Sequence, residues 1–218
     1  MKNISVVLVT LFFALSASAQ VDNTHFGLSL SLGKGNQISK GQFNTVATKQ
    51  FFDDLYRSTT FDVSFGYYLR PQNSLGLEVF LDLGVGTASM AGNSGQLLNG
   101  TLVQGALGVM LNYRWVIDKN VVILGAGIAD MAYMESASTA DDSYQLQAET
   151  IGIPFKFKYE YKLSKNIGLG ISAAAFMGSA NEVTETENGV VSKATTAEDG
   201  EYLGISRWSV TVGPRFYF

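Results

Sequence analysis

Through most of the chain, apolar and polar residues alternate with a period of two, while helical spacing is scarce. FGLSLSLG sets Phe26, Leu28, Leu30 and Leu32 on one face and Gly27, Ser29, Ser31 and Gly33 on the other. FDVSFGYYLR puts Phe61, Val63, Phe65, Tyr67 and Leu69 together, and SLGLEVFLDLGVG does the same with Leu75, Leu77, Val79, Leu81, Leu83 and Val85. VQGALGVMLNYRW, VVILGAGI, IGIPFKFKYEYK and IGLGISAAAFM repeat the pattern, and the closing stretch carries Trp208, Val210, Val212, Pro214, Phe216 and Phe218 on one face. Eight strands are predicted. RPQNS (70–74), VIDKN (116–120) and LSKN (163–166) are short turns between them, whereas the segments near 34–58, 88–100, 132–147 and 178–202 are long loops.

Alternation alone does not say which face points inward, and a soluble barrel or sandwich has the same period. Three features favour a membrane barrel. The apolar runs of about 9–14 residues match the 9–11 needed to cross a bilayer and exceed the 5–6 usual in soluble strands. Gly, Ser and Ala dominate the opposite face, which suits the narrow interior of eight strands. Tyr67, Tyr113, Trp115, Tyr159 and Tyr161, with Phe216 and Phe218, all fall beside the short turns, as an interfacial aromatic girdle does. The expected fold is all-β, an eight-stranded antiparallel up-and-down transmembrane β-barrel. Pro154 and Pro214 each delete a ladder donor, so bulges are expected there.

The opening residues change the picture further. One early Lys, an apolar run from Ile4 to about Leu15, and Ala17-x-Ala19 read as a signal peptide over 1–19, leaving 20–218 as the barrel domain. The 218 residues carry a net charge of −4. The absence of Cys from the sequence rules out both disulfides and a lipid anchor at the cleavage site.

With Thr211, Gly213, Phe216 and terminal Phe218 at the end of the last strand, the sequence resembles the small bacterial outer-membrane β-barrels of the OmpA/OmpX type over its whole exported length. The resemblance implies the outer membrane of a Gram-negative-type bacterium. It also implies that these four residues form an assembly signal for the barrel-assembly machinery, with outer-membrane lipids as permanent partners.

Chemistry is sparse. VVILGAGIAD (121–130) looks like a dinucleotide-binding turn, but Asp130 occupies the third glycine position and no amphipathic helix follows. A single histidine, His25, gives no catalytic triad, and zinc sites lack ligands. No cofactor, metal or nucleic acid is expected, and the chain reads as a non-enzyme. The acidic residues Glu135, Asp141, Asp142, Glu182, Glu185, Glu187, Glu198, Asp199 and Glu201 read as solvated loop charges. Phe51, Phe52 and Tyr56 are either a loop cluster that packs on itself or extends the strand pair, or a binding patch.

The inward face carries its own charges: Asp62, Glu78, Asp82 and Glu160 against Lys156, Lys158, Arg207 and Arg215, with Arg70, Arg114 and Lys162 near the rim. Residue counts from the short-turn end predict Glu78 opposite Arg215 or Lys158, and Asp82 opposite Lys156, in a network that plugs the lumen. Phe80, Met110 and Phe176 are the large apolar residues expected inside. The expected function is a structural or interaction scaffold working through its surface loops, which meet envelope lipids, matrix or partners, an extracellular ligand among them. The alternatives are a small porin or a conduit for hydrophobic compounds and, behind these, a lipid-modifying enzyme.

Overall fold

The computed structural model describes residues 25–38, 46–91, 96–195 and 203–218; the expected signal peptide, Glu198, Asp199 and Glu201 lie outside them. In chain order the elements are β1 (Phe26–Gln37), α1 (Val46–Leu55), β2 (Arg57–Tyr68), β3 (Ser74–Ala91), β4 (Leu97–Ile117), β5 (Asn120–Ser138), β6 (Ser143–Lys162), β7 (Ile167–Met177), β8 (Ser179–Ala180), β9 (Glu182–Glu187), β10 (Val190–Thr195), β11 (Leu203–Gly204) and β12 (Arg207–Tyr217). β1 to β7 and β12 pair antiparallel with their chain neighbours, and β12 closes on β1. An eight-stranded barrel results.

Its shear is read directly from the register. A ladder row starting at Tyr68 passes through Gly76, Asn112, Gly125, Lys156, Ala174, Ser209 and Gly35 and returns to β2 at Ser58, ten residues further from the short turns. Strand number and shear together fix tilt and bore. Eight strands leave room for side chains and little else.

Alternation sorts the residues as the membrane requires. Leu77, Leu81, Val109, Leu111, Phe157, Ile171 and Val212 are exposed on the outer face, while their chain neighbours point inward and are buried, apart from the half-buried Gly108 and Gly213. Tyr67, Tyr113, Tyr159, Tyr161 and Phe218 are exposed beside the turn end, with the Trp115 ring tilted against that of Tyr113 at 4.5 Å. Trp208 stands on the same face towards the opposite rim.

Three expectations need correction. The long loops are largely strand: β3 and β4 pair out to Ala91 and Leu97, β5 and β6 out to Ser138 and Ser143, and the β9–β10 hairpin adds to the outer half of β6. Both faces are wet beyond the bilayer, so alternation fades there although the ladder continues. The first loop contains a helix, whose Phe51, Phe52 and Leu55, with Tyr56 just past its end, follow i, i+1, i+4, i+5 spacing. Neither proline makes a bulge. Pairing lapses for two positions on the β1 side of Pro214 and the β5 side of Pro154, then resumes in unchanged register, because the other edge of each strand stays paired.

Candidate functional site

The inward face builds a layered lumen. At the turn end Tyr68, Val121 and Ile123 are buried as a floor. The Arg114 guanidinium lies 3.9 Å from the Tyr68 ring centroid and donates to the Arg70 carbonyl at 2.7 Å. Lys162 sits 5.1 Å from the Tyr217 ring, whose hydroxyl donates to Glu160.

Above the floor come four ion pairs. Glu160 on β6 meets Arg215 on β12 at 3.2 Å, and Glu78 on β3 meets Lys158 on β6 at 2.6 Å. Asp62 on β2 meets Lys156 on β6, directly across the ring, and Asp82 on β3 meets Arg207 on β12 at 2.6 Å. All eight side chains are at most 5% exposed. Neutral donors and acceptors add to the set: Lys158 also donates to Ser64, Asn112 donates to Glu78, and Arg215 donates to Ser31 and Ser172. Such pairing makes a buried charge tolerable. The bulk of Arg215 is accommodated at Gly170, where a Cβ would lie 2.6 Å from its Nε.

The partners differ in part from those predicted. Glu78 takes Lys158, but Arg215 goes to Glu160; Lys156 goes to Asp62, leaving Asp82 to Arg207. Depth counted along each strand ignores the ten-residue shear, and it ignores position around the ring. Asp62 and Asp82 are direct cross-strand neighbours, so each needs a base of its own.

Aromatic rings cap the charges. Phe80 and Phe176 lie 6.0 Å apart, with Lys156 Nζ 4.1 Å from the first ring and the Arg207 guanidinium 4.5 Å from the second. Beyond them Leu102, Ala106, Met110, Ala129 and Met131 form one apolar cluster with Phe51, Leu55 and Tyr56. The inner wall is thus more apolar than Phe80, Met110 and Phe176 alone. Tyr68, Val121 and Ile123 belong to it, and so do Met131 and Tyr133, which lie beyond the predicted end of β5. Helix α1 therefore plugs the outer mouth. Gly100 admits it, since a Cβ there would lie 2.6 Å from Phe51 Cζ. Phe51 and Tyr56 are buried in the mouth against the barrel wall, so they neither form an exposed patch nor pack only on their own loop.

A polar collar surrounds the plug, and nothing in the alternation pattern marked it. Gln104 donates to Gln37 and Gln37 to the Gly204 carbonyl; Tyr133 donates to Glu135. Beyond the apolar belt, burial raises the Glu135 carboxyl above the usual range, and the Tyr133 hydroxyl opposes that shift. Burial, with the nearby Glu135, raises both Tyr56 and Tyr133. His25, at the turn-end rim, has Nδ1 2.8 Å from the Tyr68 carbonyl. Below the ring layer a cavity between Tyr68, Glu78, Lys158, Glu160 and Arg215 measures about 10 Å³.

An apolar outer belt, a turn-end aromatic girdle and a closed ring of eight strands define a small outer-membrane β-barrel. Residues 5–218 match the family model described as a domain of unknown function, DUF2715, and the chain belongs to that family. Its fold is similar to that of a major outer membrane protein from Thermus thermophilus, at TM-score 0.58 and 12% identity over 88% of this chain and 99% of that one. Ail, the attachment invasion locus protein of Yersinia pestis, solved with the heparin analogue sucrose octasulfate, aligns at TM-score 0.52 and 11% identity over 88% and 99%. The outer membrane protease OmpT from Escherichia coli gives TM-score 0.49 and 10% identity over 75% of this chain, which spans 65% of OmpT. No curated protein matches the sequence.

Proposed function

We propose that this protein is a non-conducting, non-catalytic scaffold of the outer membrane. It presents the strands and loops beyond the apolar belt to an extracellular ligand, to envelope lipids or to other surface molecules. One observation carries the reading: the cavity between Glu78, Lys158, Glu160 and Arg215 is about 10 Å³, roughly the room of a single water. Four buried ion pairs below and α1 above place the protein's own side chains across the lumen. A porin or a hydrophobic conduit needs an open bore, and the apolar layer here is occupied by the protein's own Phe51, Leu55, Phe80 and Phe176. The barrel-assembly machinery is the proposed partner during biogenesis, reading Thr211, Gly213, Phe216 and Phe218.

Single-channel recording of the refolded protein in a planar bilayer tests this. Silence is the expected result. Stable openings with steady conductance would overturn the scaffold reading and favour the porin.

A further inference from the structure

The outer surface of the barrel is not uniformly apolar. Among the described residues, the outward positions of the eight barrel strands carry four charges, at Lys34, Arg57, Asp130 and Glu149, all exposed. The two bases are on the adjacent strands β1 and β2, and the two acids on the adjacent strands β5 and β6. In a ring of eight, these strand pairs are diametrically opposed.

Their heights also agree. The ladder row through Lys34 passes Thr59, Val85 and Val103 and reaches β5 at Met134. Half a circuit carries a row outward by half the shear, so the height of Lys34 on β5 falls at residue 129, one residue from Asp130. By the same reckoning, the row from Ser58 through Gly86, Leu102 and Glu135 reaches Leu146, which places the height of Arg57 beside Glu149. Two bases therefore face one way, and two acids at matching heights face the opposite way.

We propose that copies of this chain associate side by side in the membrane, the β1–β2 face of one against the β5–β6 face of the next. Every copy is inserted in the same orientation, so matched heights on one molecule become matched heights between neighbours. A two-fold axis along the membrane normal would put like charges together, so it is disfavoured. The contact is head-to-tail, and because the two patches are opposed it does not close into a dimer but extends into rows. Desolvation strengthens the Lys34–Asp130 pairing, which lies near the height of Leu83 within the belt, relative to water; Arg57 and Glu149, level with Thr87, pair beyond the belt. Arg57 already lies 3.7 Å from Asp54, and Lys34 donates to Thr59 at 3.0 Å; these exposed contacts hold the bases in place and leave them accessible from the side. Below them Leu32 and Ile128, 59% and 61% exposed, supply the apolar part of the two faces.

The cysteine-free sequence permits a direct test. Leu32→Cys and Ile128→Cys are made on separate chains, with all four charges kept, and the folded proteins are mixed in phosphatidylcholine vesicles with a short bis-maleimide. The mixture should give dimers holding one chain of each kind, and a chain bearing both changes should give a ladder of larger species. Reversing the bases on the Leu32→Cys chain (Lys34→Glu with Arg57→Glu) should lower heterodimer yield about tenfold. Reversing the acids on the partner chain as well (Asp130→Lys with Glu149→Lys) should restore it. Folded fraction is checked by gel mobility, and Lys34→Gln with Arg57→Gln serves if the reversed chain does not fold. Leu32-to-Leu32 dimers, yields indifferent to charge, or no cross-links would each overturn the proposal. Cross-linking absent, with Lys34 instead enriched beside spin-labelled anionic lipid, would assign the basic pair to lipid headgroups and overturn it equally.

Discussion

Glu78→Gln should weaken the barrel by about 3–5 kcal/mol, the usual cost of breaking a buried pair from one side. In the native lumen Lys158 Nζ is 2.6 and 2.7 Å from the two Glu78 oxygens and 2.8 Å from Ser64 Oγ. The amide keeps the volume and an acceptor but removes the countercharge. Unit charges about 4 Å apart at an effective dielectric of about 20 attract by about 4 kcal/mol, which sets the same scale. Asp62 also lies in the field of Lys158, so some compensation is available and the lower half of the range is expected. Lys158→Met alone should cost a similar amount, by leaving the Glu78 carboxylate with Asn112 alone. The double variant removes both charges and should lose about 1–3 kcal/mol less than the sum of the singles. Urea titrations in short-chain lipid vesicles, read by the fluorescence of Trp115 and Trp208 and by gel mobility of the folded form, measure all three, provided the slopes agree. Additive losses would refute the reasoning, and so would a Glu78→Gln loss within about 1 kcal/mol. Either would mean that water already reaches the pair.

The Glu135 carboxyl is raised in the folded collar, so its contribution is fully present at pH below its unfolded value and is lost as pH rises through the folded one. Glu135→Gln should therefore increase protection of α1 amides from hydrogen exchange at pH 8 and leave it nearly unchanged at pH 4; equal effects at both would break the link. Leu81→Arg, on the lipid face of β3 towards the belt centre, should cost about 2–4 kcal/mol, while Thr87→Arg on the same strand and face, beyond the belt, should cost about 0–1. Equal losses in vesicle refolding would mean the belt is misplaced. Phe218→Ser should reduce assembled barrel in cells far more than refolding in detergent, whereas equal loss in both would reduce Phe218 to a packing residue.

How much of this was legible in the sequence depends on what each residue has to satisfy. The eight strands could be read because lipid on one side and a narrow bore on the other impose opposite demands on successive residues, as in FGLSLSLG and GLEVFLDLG. Inward parity likewise put Asp62, Glu78, Asp82, Lys156, Lys158, Glu160, Arg207 and Arg215 in the lumen. The pairing was only partly readable, because depth in a sheared barrel belongs to the ring rather than to one strand. Asp62 reaches Lys156 from the opposite wall, and no count within β2 or β6 contains that distance. Beyond the bilayer the constraint disappears: Thr87, Ser89, Thr101 and Asn99 pair in an unbroken ladder with water on the outer side, and their sequence reads as loop. Helix α1 left a different trace. Its ten residues include the i, i+4 pair Phe51 and Leu55, a helical stripe in a chain otherwise of period two. That stripe has no lipid to face and no strand to pair with, so the remaining apolar surface that can bury it is the mouth of the barrel itself, where Gly100 leaves the space for Phe51. A local break in periodicity within a β-barrel sequence thus locates the plug, and the mouth it closes follows from which strands flank it.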